Sequence, residues 1–387
     1  MSWPIPAKQN IDSIPSNKVG RVSFLFIFIL ILIIISCSSW YYISHDSNSF
    51  FYAFALCSVS VIIFLLLMGW YFFDIGIKLE KNEIIKSENA GLDEVYSEWA
   101  SEYISIVAYS YIFPDEAQIE SLKRKEEFNV IGQRVLTFHP SIDYAILFYE
   151  IISPLRHKLM NLLKDDELEI VFSMGKAIDQ SVWKYFTLAW RKLDLPENAI
   201  KSPIWMANDY VKQIDAWLDN PAKCFRLIIN FQPLASVLEN DKAEASDGVC
   251  AWLCAPSIKH KDYQIKEKAR IYRPMATNAS MLVKDVTDVM VYQSKTGNIE
   301  NLWFSKYKSH ETINKITRVS EEFSKEGRPE QFFSDFIIGK QGGGDIWSTI
   351  MLSLISSYAK DSVNLIISES DSSVCLSRVK VQRQYDA

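Results

Sequence analysis

Two uncharged apolar stretches near the N-terminus constrain this chain more than any other feature. The first runs from Val22 to Ile43 (VSFLFIFILILIIISCSSWYYI), the second from Phe50 to Phe73 (FFYAFALCSVSVIIFLLLMGWYFF). No Asp, Glu, Lys or Arg lies between Arg21 and Asp46, nor between Asp46 and Asp74. A helix rising about 1.5 Å per residue needs roughly 20 apolar residues to cross a hydrocarbon core. Each run is long enough, and neither has a polar face with which to sit on a soluble core. They are read as two transmembrane helices. The first is longer than the roughly 7–15-residue apolar region of a signal peptide, and no small-x-small cleavage site follows it. Aromatic clusters at Trp40–Tyr42 and Trp70–Phe73 suit the membrane interface. Cys37 and Cys57 inside the runs behave as small apolar groups.

Charge bias sets the expected orientation. Lys8, Lys18 and Arg21 precede the first run, and Lys78, Lys81 and Lys86 follow the second, whereas the link Ser44–Ser49 carries no Lys or Arg. The positive-inside rule then places both termini in the cytoplasm. The six-residue link forms only a tight turn outside, so the chemistry of the chain must reside in residues 75–387. The expected divisions are a tail (1–21), a helical hairpin (22–73), a juxtamembrane linker with helical and strand character (74–134) and two α/β halves (135–275 and 276–387).

Composition excludes several classes. With 49% hydrophobic residues and 23% charged, the chain is neither disordered nor collagen-like. A net charge of −6 argues against nucleic acid as a partner. Six cysteines in 387 residues are not a disulfide framework. Cys250 and Cys254 lie in an apolar run with no further ligands at matching spacing, so they are read as core residues. Lys123-Arg124-Lys125 and Asp165-Asp166-Glu167 read as solvated charge clusters.

Periodicity predicts a strand over the second half of Asp93–Tyr111, and a short helix starting at Pro114-Asp115-Glu116. A helix follows over Ser141–Leu163, kinked or broken at Pro154. Leu168–Met174 reads as a strand, Ala177–Leu193 and Trp205–Leu218 as helices, and Cys224–Phe231 and Val249–Cys254 as buried strands. Further on, Asp288–Tyr292, Leu302–Phe304 and Phe336–Ile338 read as strands, with a helix over His310–Ser324. Asp345 caps a helix, and Asn364–Ser368 and Val374–Val381 close the chain as strands. This alternation indicates an α/β layered domain.

The loop Gly339-Lys340-Gln341-Gly342-Gly343-Gly344 before Asp345 invites an anion-binding reading. It matches neither GxxxxGK[ST] nor GxGxxG, and Asp345 would repel a phosphate. Its glycines are read instead as allowing close packing and positive φ. The five histidines (His45, His139, His157, His260 and His310) are scattered. His310, at a helix start, is the one weighed as a catalytic group. No GxSxG, HExxH, SxxK or DxDxG occurs, so no catalytic, cofactor-binding or metal-ligating residue is assigned and no cofactor is expected.

The order of elements resembles the thiolase-like fold of ketoacyl synthases, in degenerate layered α/β/α form. Phe336–Val381 is similar to that family's passage of strand, Gly-rich loop, helix, strand, turn and strand, with GKQGGGDIW in the loop and ESDSS in the turn. WFSKYKSHETINK is similar to the segment before the family's penultimate helix, and FRLIINF and VCAWLC look like paired central strands. Active members carry a nucleophilic Cys at a strand-to-helix elbow in the first half and a His in the C-terminal Gly loop. Here Cys224 enters a strand, Cys250 and Cys254 lie within one, and Lys340 or Gln341 stands at the His position. The resemblance therefore implies a protein without its thioester nucleophile and oxyanion partner. As a whole chain it resembles the lipase-adaptor family of type VI secretion clusters. That resemblance implies a multi-pass protein of a bacterial inner membrane. Its partners would be lipid and a secreted effector or secretion component, with a homodimer as a further arrangement. Two alternatives stand beside this: a membrane-bound acyl-transfer enzyme using His310 or Lys340, and a structural subunit of a membrane complex.

Overall fold

The computed structural model describes residues 2–13, 18–44, 48–127, 130–132, 134–139, 143–164, 166–174, 180–206, 209–221, 224–232, 245–256, 265–306, 309–324, 327–342, 344–358, 360–369 and 373–383. His45–Ser47 of the link between the apolar runs, Pro140–Ile142, Asp165, Ala177, His260, Gly343 and the centre of the ESDSS turn fall outside them, as does the Cys37 side chain. The chain forms two units, 5–95 and a second one comprising 1–4 with 96–387.

In the first unit, α1 (Lys18–Ser44) and α2 (Asn48–Ala100) carry the apolar runs. Both are long and apolar enough to cross a membrane, and no residue of either apolar window is buried within the protein. The rings of Phe26 and Phe64 stack between them, 3.7 Å apart and 12° from parallel. The linker expected from residue 74 onward begins as a continuation of α2, which runs through Gly76 and Gly91 unbroken. A helix-interior glycine costs about 1 kcal/mol relative to Ala and need not end the helix. Residues before α1 lie along α2. Asn82 accepts from the Asp12 N–H at 3.0 Å and donates to the Asp12 carbonyl at 2.8 Å. Asn89 repeats the clip on Gln9, at 3.1 and 3.0 Å. Two asparagines seven residues apart face the same way on a helix, so one face holds an extended strip of backbone.

The second unit is built on β1 (Tyr103–Ile112), α3 (Glu116–Arg124), α4 (Tyr144–Ile152), α5 (Arg156–Leu162), β2 (Leu168–Met174), α6 (Gln180–Lys192), β3 (Ile204–Met206), α7 (Tyr210–Asp219), β4 (Phe225–Gln232) and β5 (Gly248–Ala255). It continues with β6 (Ala269–Tyr272), β7 (Met275–Thr277), α8 (Leu282–Tyr292), β8 (Asn301–Ser305), α9 (His310–Phe323), β9 (Glu330–Phe333), α10 (Ser334–Ile338), α11 (Asp345–Ser356), β10 (Ser362–Glu369) and β11 (Val374–Val381). Asp115, Asp143, Asp209 and Ser309 start α3, α4, α7 and α9 by accepting backbone N–H bonds, which satisfies donors that the first turn leaves free. Pro154 breaks the 144–162 region into α4, a short 3₁₀ turn and α5, as its ring requires.

One sheet of order β3-β2-β4-β5-β1-β6-β11-β10-β8-β9 spans the unit, with β7 also on β11. The order is the same ribbon written twice. In each half the second strand lies parallel between the third and fourth. The fifth is antiparallel to the fourth and to the first. The halves meet where β1 pairs antiparallel with β6. This places the boundary between β5 and β6; the expected division at 275/276 would strand β6 with the wrong half, and β1 belongs to the first repeat rather than to a linker. Alternate residues of β4 and β5 go to opposite cores. Leu227, Ile229, Val249 and Ala251 face one, and Ile228, Cys250 and Trp252 the other. Both faces are therefore covered by helices, which explains the continuous apolar runs.

Four expected elements are corrected. Trp205 lies in β3, stacked on Phe172 at 4.8 Å, and its helix begins later, at Tyr210. Asp288–Tyr292 is the end of α8, where Val286, Val289 and Met290 are buried at helical spacing. The β-branched content misled there, because packing overrides propensity. Phe336–Ile338 is helical, and the strand lies just ahead of it in β9. Asp345 does not cap α11: Gly344, at φ +83°, holds that position.

Candidate functional site

In an open α/β sheet, ligands favour the carboxyl ends of the parallel strands. Here that edge gathers Ser173, Asn230 and Cys250 from β2, β4 and β5, side by side in register. The second repeat places Ser305, Ser368 and Cys375 at the same three stations of β8, β10 and β11. The stations match; their partners do not.

In the second repeat the polar groups converge on Asp345, the first residue of α11. Ser305 donates to its carboxylate at 2.8 Å, Ser368 donates to the same oxygen, and Lys306 pairs with the other at 3.0 Å. Lys306 follows β8 with φ +50°, a left-handed conformation that turns the chain at the strand end. Asp345 is nearly buried (7% exposed), and its oxygens find their hydrogen-bond partners inside the protein. α11 behind it is buried at every residue.

In the first repeat the helix begins differently. Asp209 accepts from the Lys212 N–H and pairs with the Lys212 ammonium at 2.7 Å. Burial pushes this carboxyl up, but the Lys212 bonds outweigh it and hold the carboxyl below its ordinary range. The sequence through this strand-to-helix elbow, Met206-Ala207-Asn208-Asp209, contains no Cys, Ser or Thr. The sequence that follows β2, Gly175 to Asp179, contains none either.

The cysteines lie elsewhere. Cys250 and Cys254 are buried inside β5. Burial alone pushes Cys254 up to about 12 and Cys250 further. Cys375 is pushed up by burial and by Asp345. A thiol held neutral is a poor nucleophile. Cys224 stands immediately before β4, half-buried. Cys250 and Cys254 lie in the core as expected, whereas Cys224, expected as the first residue of a buried strand, precedes it.

The Gly loop packs as a structural seam. A Cβ at Gly339 (φ +77°) would lie 2.5 Å from the Arg134 carbonyl and the Ser246 hydroxyl, and one at Gly344 would lie 2.5 Å from Asn230 Oδ1. Lys340 donates its N–H to the Arg134 carbonyl at 2.8 Å and accepts from the Ser246 N–H at 2.7 Å. An N–H spent in this way cannot cradle an anion. The buried Gln341 donates to the Gly339 carbonyl at 3.0 Å, while the Lys340 side chain points to solvent. His139, His157 and His310 are exposed, and His310 opens α9. Among the described residues no cluster of three His, Cys, Asp or Glu could hold a metal.

Sequence reasoning missed Asn230, Ser305, Lys306 and Ser368. The signal that would have found them is internal: Phe172-Ser173 matches Phe304-Ser305, Leu227-Ile228-Ile229-Asn230 matches Leu365-Ile366-Ile367-Ser368, and Val249-Cys250 matches Val374-Cys375.

No family model and no curated protein matches this chain. Solved structures do. A ketosynthase from module 6 of the bacillaene synthase of Bacillus subtilis superposes with a TM-score of 0.50 at 9% identity, covering 73% of this chain and 71% of its own. The oxazolomycin ketosynthase domain of Streptomyces albus gives 0.49 at 10% identity, covering 73% and 96%. The peroxisomal 3-ketoacyl-CoA thiolase of Saccharomyces cerevisiae gives 0.45 at 10%, covering 73% and 98%. With its twice-written ribbon and its likeness to the bacillaene ketosynthase, this chain has a thiolase-like fold.

Proposed function

We propose that this chain is a membrane-tethered, non-catalytic thiolase-fold protein whose task is to bind another protein. The observation carrying this reading is the β3–α7 elbow, where Asp209 is engaged with Lys212 and no nucleophilic side chain occurs. Asp345, at the corresponding helix start of the second repeat, is taken up by Ser305, Ser368 and Lys306. Acyl transfer through a thioester needs a nucleophile and donors aimed at an oxyanion, and these residues supply neither.

Tethering is supported by α1 and α2, whose apolar windows hold no buried residue among those described. It is supported also by Trp3, buried against Tyr96 and Trp99. The chain ahead of α1 and the chain after α2 therefore share one side of any bilayer, so the two helices cross as a pair. Basic flanks make that side cytoplasmic. The partner class comes from the resemblance to type VI lipase adaptors: a secreted effector or a component of its secretion machinery.

Two measurements test this. Full-length protein in detergent, incubated with acyl-CoA and acyl-carrier thioesters, should show no acyl adduct by intact mass; a stoichiometric adduct overturns the non-catalytic reading. The same protein should retain a lipase effector encoded beside it, and loss of every such candidate in the wash removes the adaptor role.

A further inference from the structure

Each repeat slips its first strand against its fifth by one residue, and at the same place. In the first repeat the slip lies between Ile106 and Ala108, opposite Cys254 and Leu253. In the second, Ile271 pairs with Val379 but Met275 with Leu376, so Tyr272-Arg273-Pro274 joins β6 to β7 opposite only Ser377 and Arg378. Such a bulge takes backbone groups out of the ladder. One of them, the Pro274 carbonyl, accepts from the Trp3 indole at 2.9 Å, and the ring is held edge-on by Tyr96 and Trp99. That gap in the ladder is filled by an aromatic group of the chain itself.

Counting from the two slips aligns Val107 with Tyr272 and Leu253 with Arg378. In the first repeat both side chains are apolar, fully buried and part of one core cluster. In the second, a phenol and a guanidinium take their places. Arg378 is 2% exposed. Its Nη2 donates to the Gly297 carbonyl, while its Nε and Nη1 have no hydrogen-bond partner. The other fully buried arginine is treated differently: Arg273 pairs with Glu102, Asp215 and Asp219. No carboxylate among the described residues acts electrostatically on Arg378. The group that does is Tyr272, whose phenol burial keeps neutral against the pull of Arg270 and Arg378. Burial lowers the Arg378 pKa to about 10, so at neutral pH the guanidinium stays charged. A buried charge without a counter-charge is strongly disfavoured. Water can accept from a free N–H but does not neutralise the charge. Arg378 lines none of the clefts that measure about 300, 430 and 450 Å³, so the site suits a single small ion rather than an organic molecule.

We propose that Arg378 holds a monovalent inorganic anion of chloride's size beside the interrupted strand of the second repeat. The ion accepts from the free Nε and Nη1 groups. The interruption is then braced twice, by Trp3 at the Pro274 carbonyl and by the ion at Arg378. This does not depend on the adaptor reading.

Urea unfolding of the full chain in neutral detergent tests it, at constant ionic strength with chloride exchanged for gluconate. Chloride should raise the unfolding midpoint saturably, because a ligand bound by the folded chain stabilises it by mass action. Bromide should substitute for chloride. Arg378→Leu, which installs the side chain found at the equivalent station of the first repeat, should fold and lose the chloride dependence. Arg378→Met, which keeps a longer stem, should do the same. Broadening of the chlorine NMR line by the wild type, but not by Arg378→Leu, gives a readout separate from stability. A wild-type midpoint indifferent to chloride overturns the proposal and leaves water on the free N–H groups. The same saturable dependence in Arg378→Leu overturns it too. So does loss of folding in both variants, since an apolar side chain at a station built like that of Leu253 needs no ion.

Discussion

Glu169 faces Arg226 in the first repeat, where Asn301 faces Asn364 in the second. The first pair is ionic, 2.5 Å apart, with Arg226 also lying over the Trp217 ring. The second is a neutral amide bond of 2.7 Å. Further along the same strands, Phe172 stacks on Trp205 and Phe304 on Phe333. The aromatic pair is kept while the polar pair is exchanged. A sheet station thus fixes the size and direction of a side chain far more strictly than its charge. What each repeat can do is decided by the partners its own loops and helix starts supply: Lys212 for Asp209, and Lys306 with two serines for Asp345.

The comparison can be broken by urea unfolding of single variants of the full chain. The largest effect is expected at the filled interruption. Trp3→Ala removes a buried indole and its bond to Pro274 and should cost about 3–5 kcal/mol. Next come the two helix starts. Asp345→Ala strands Lys306 and two hydroxyls and should cost about 3 kcal/mol, whereas Asp209→Ala removes an exposed cap worth about 1 kcal/mol. Equal losses would mean that the two aspartates do the same job and that the repeats differ less than their contacts imply. Glu169→Ala leaves Arg226 half-buried without its carboxylate and should lose about 2 kcal/mol, against about 1 kcal/mol for Asn301→Ala. The smallest effect is one of pH. Lys158 has its pKa lowered from 10.5 by burial and Lys268, so between its folded value and 10.5 the unfolded chain binds the extra proton. Stability contributed by this group therefore rises with pH across that window. Subtracting the Lys158→Met profile from wild type should isolate the rise; coincident profiles would mean that Lys158 is no more buried than an ordinary surface lysine.

Much of the fold was legible from the sequence. The boundaries of β2 and β11 follow from apolar runs ended by turns, and the break at Pro154 follows from ring sterics alone. The long apolar helices were plain from charge spacing. What could not be read was the consequence of burial on two sides. α8 is rich in valine and resembles a strand until Val286, Val289 and Met290 are seen packed on one face. The candidate site was least legible, because Ser305, Lys306 and Ser368 are unremarkable until parallel pairing sets them around Asp345. The repeat was visible in Leu-Ile-Ile, Phe-Ser and Val-Cys but too short to stand out without the strand order.

Trp3 has a consequence for the making of the protein. It and Pro274 are 271 residues apart. At about 5–20 residues per second, the ribosome needs roughly 15–55 s to deliver the acceptor after the donor. Trp3 therefore waits through the emergence of α1, α2 and most of the sheet before its seat exists. A nascent chain whose beginning had meanwhile been exported would finish with Tyr96, Trp99 and the Pro274 carbonyl uncovered, a built-in mark of wrong assembly.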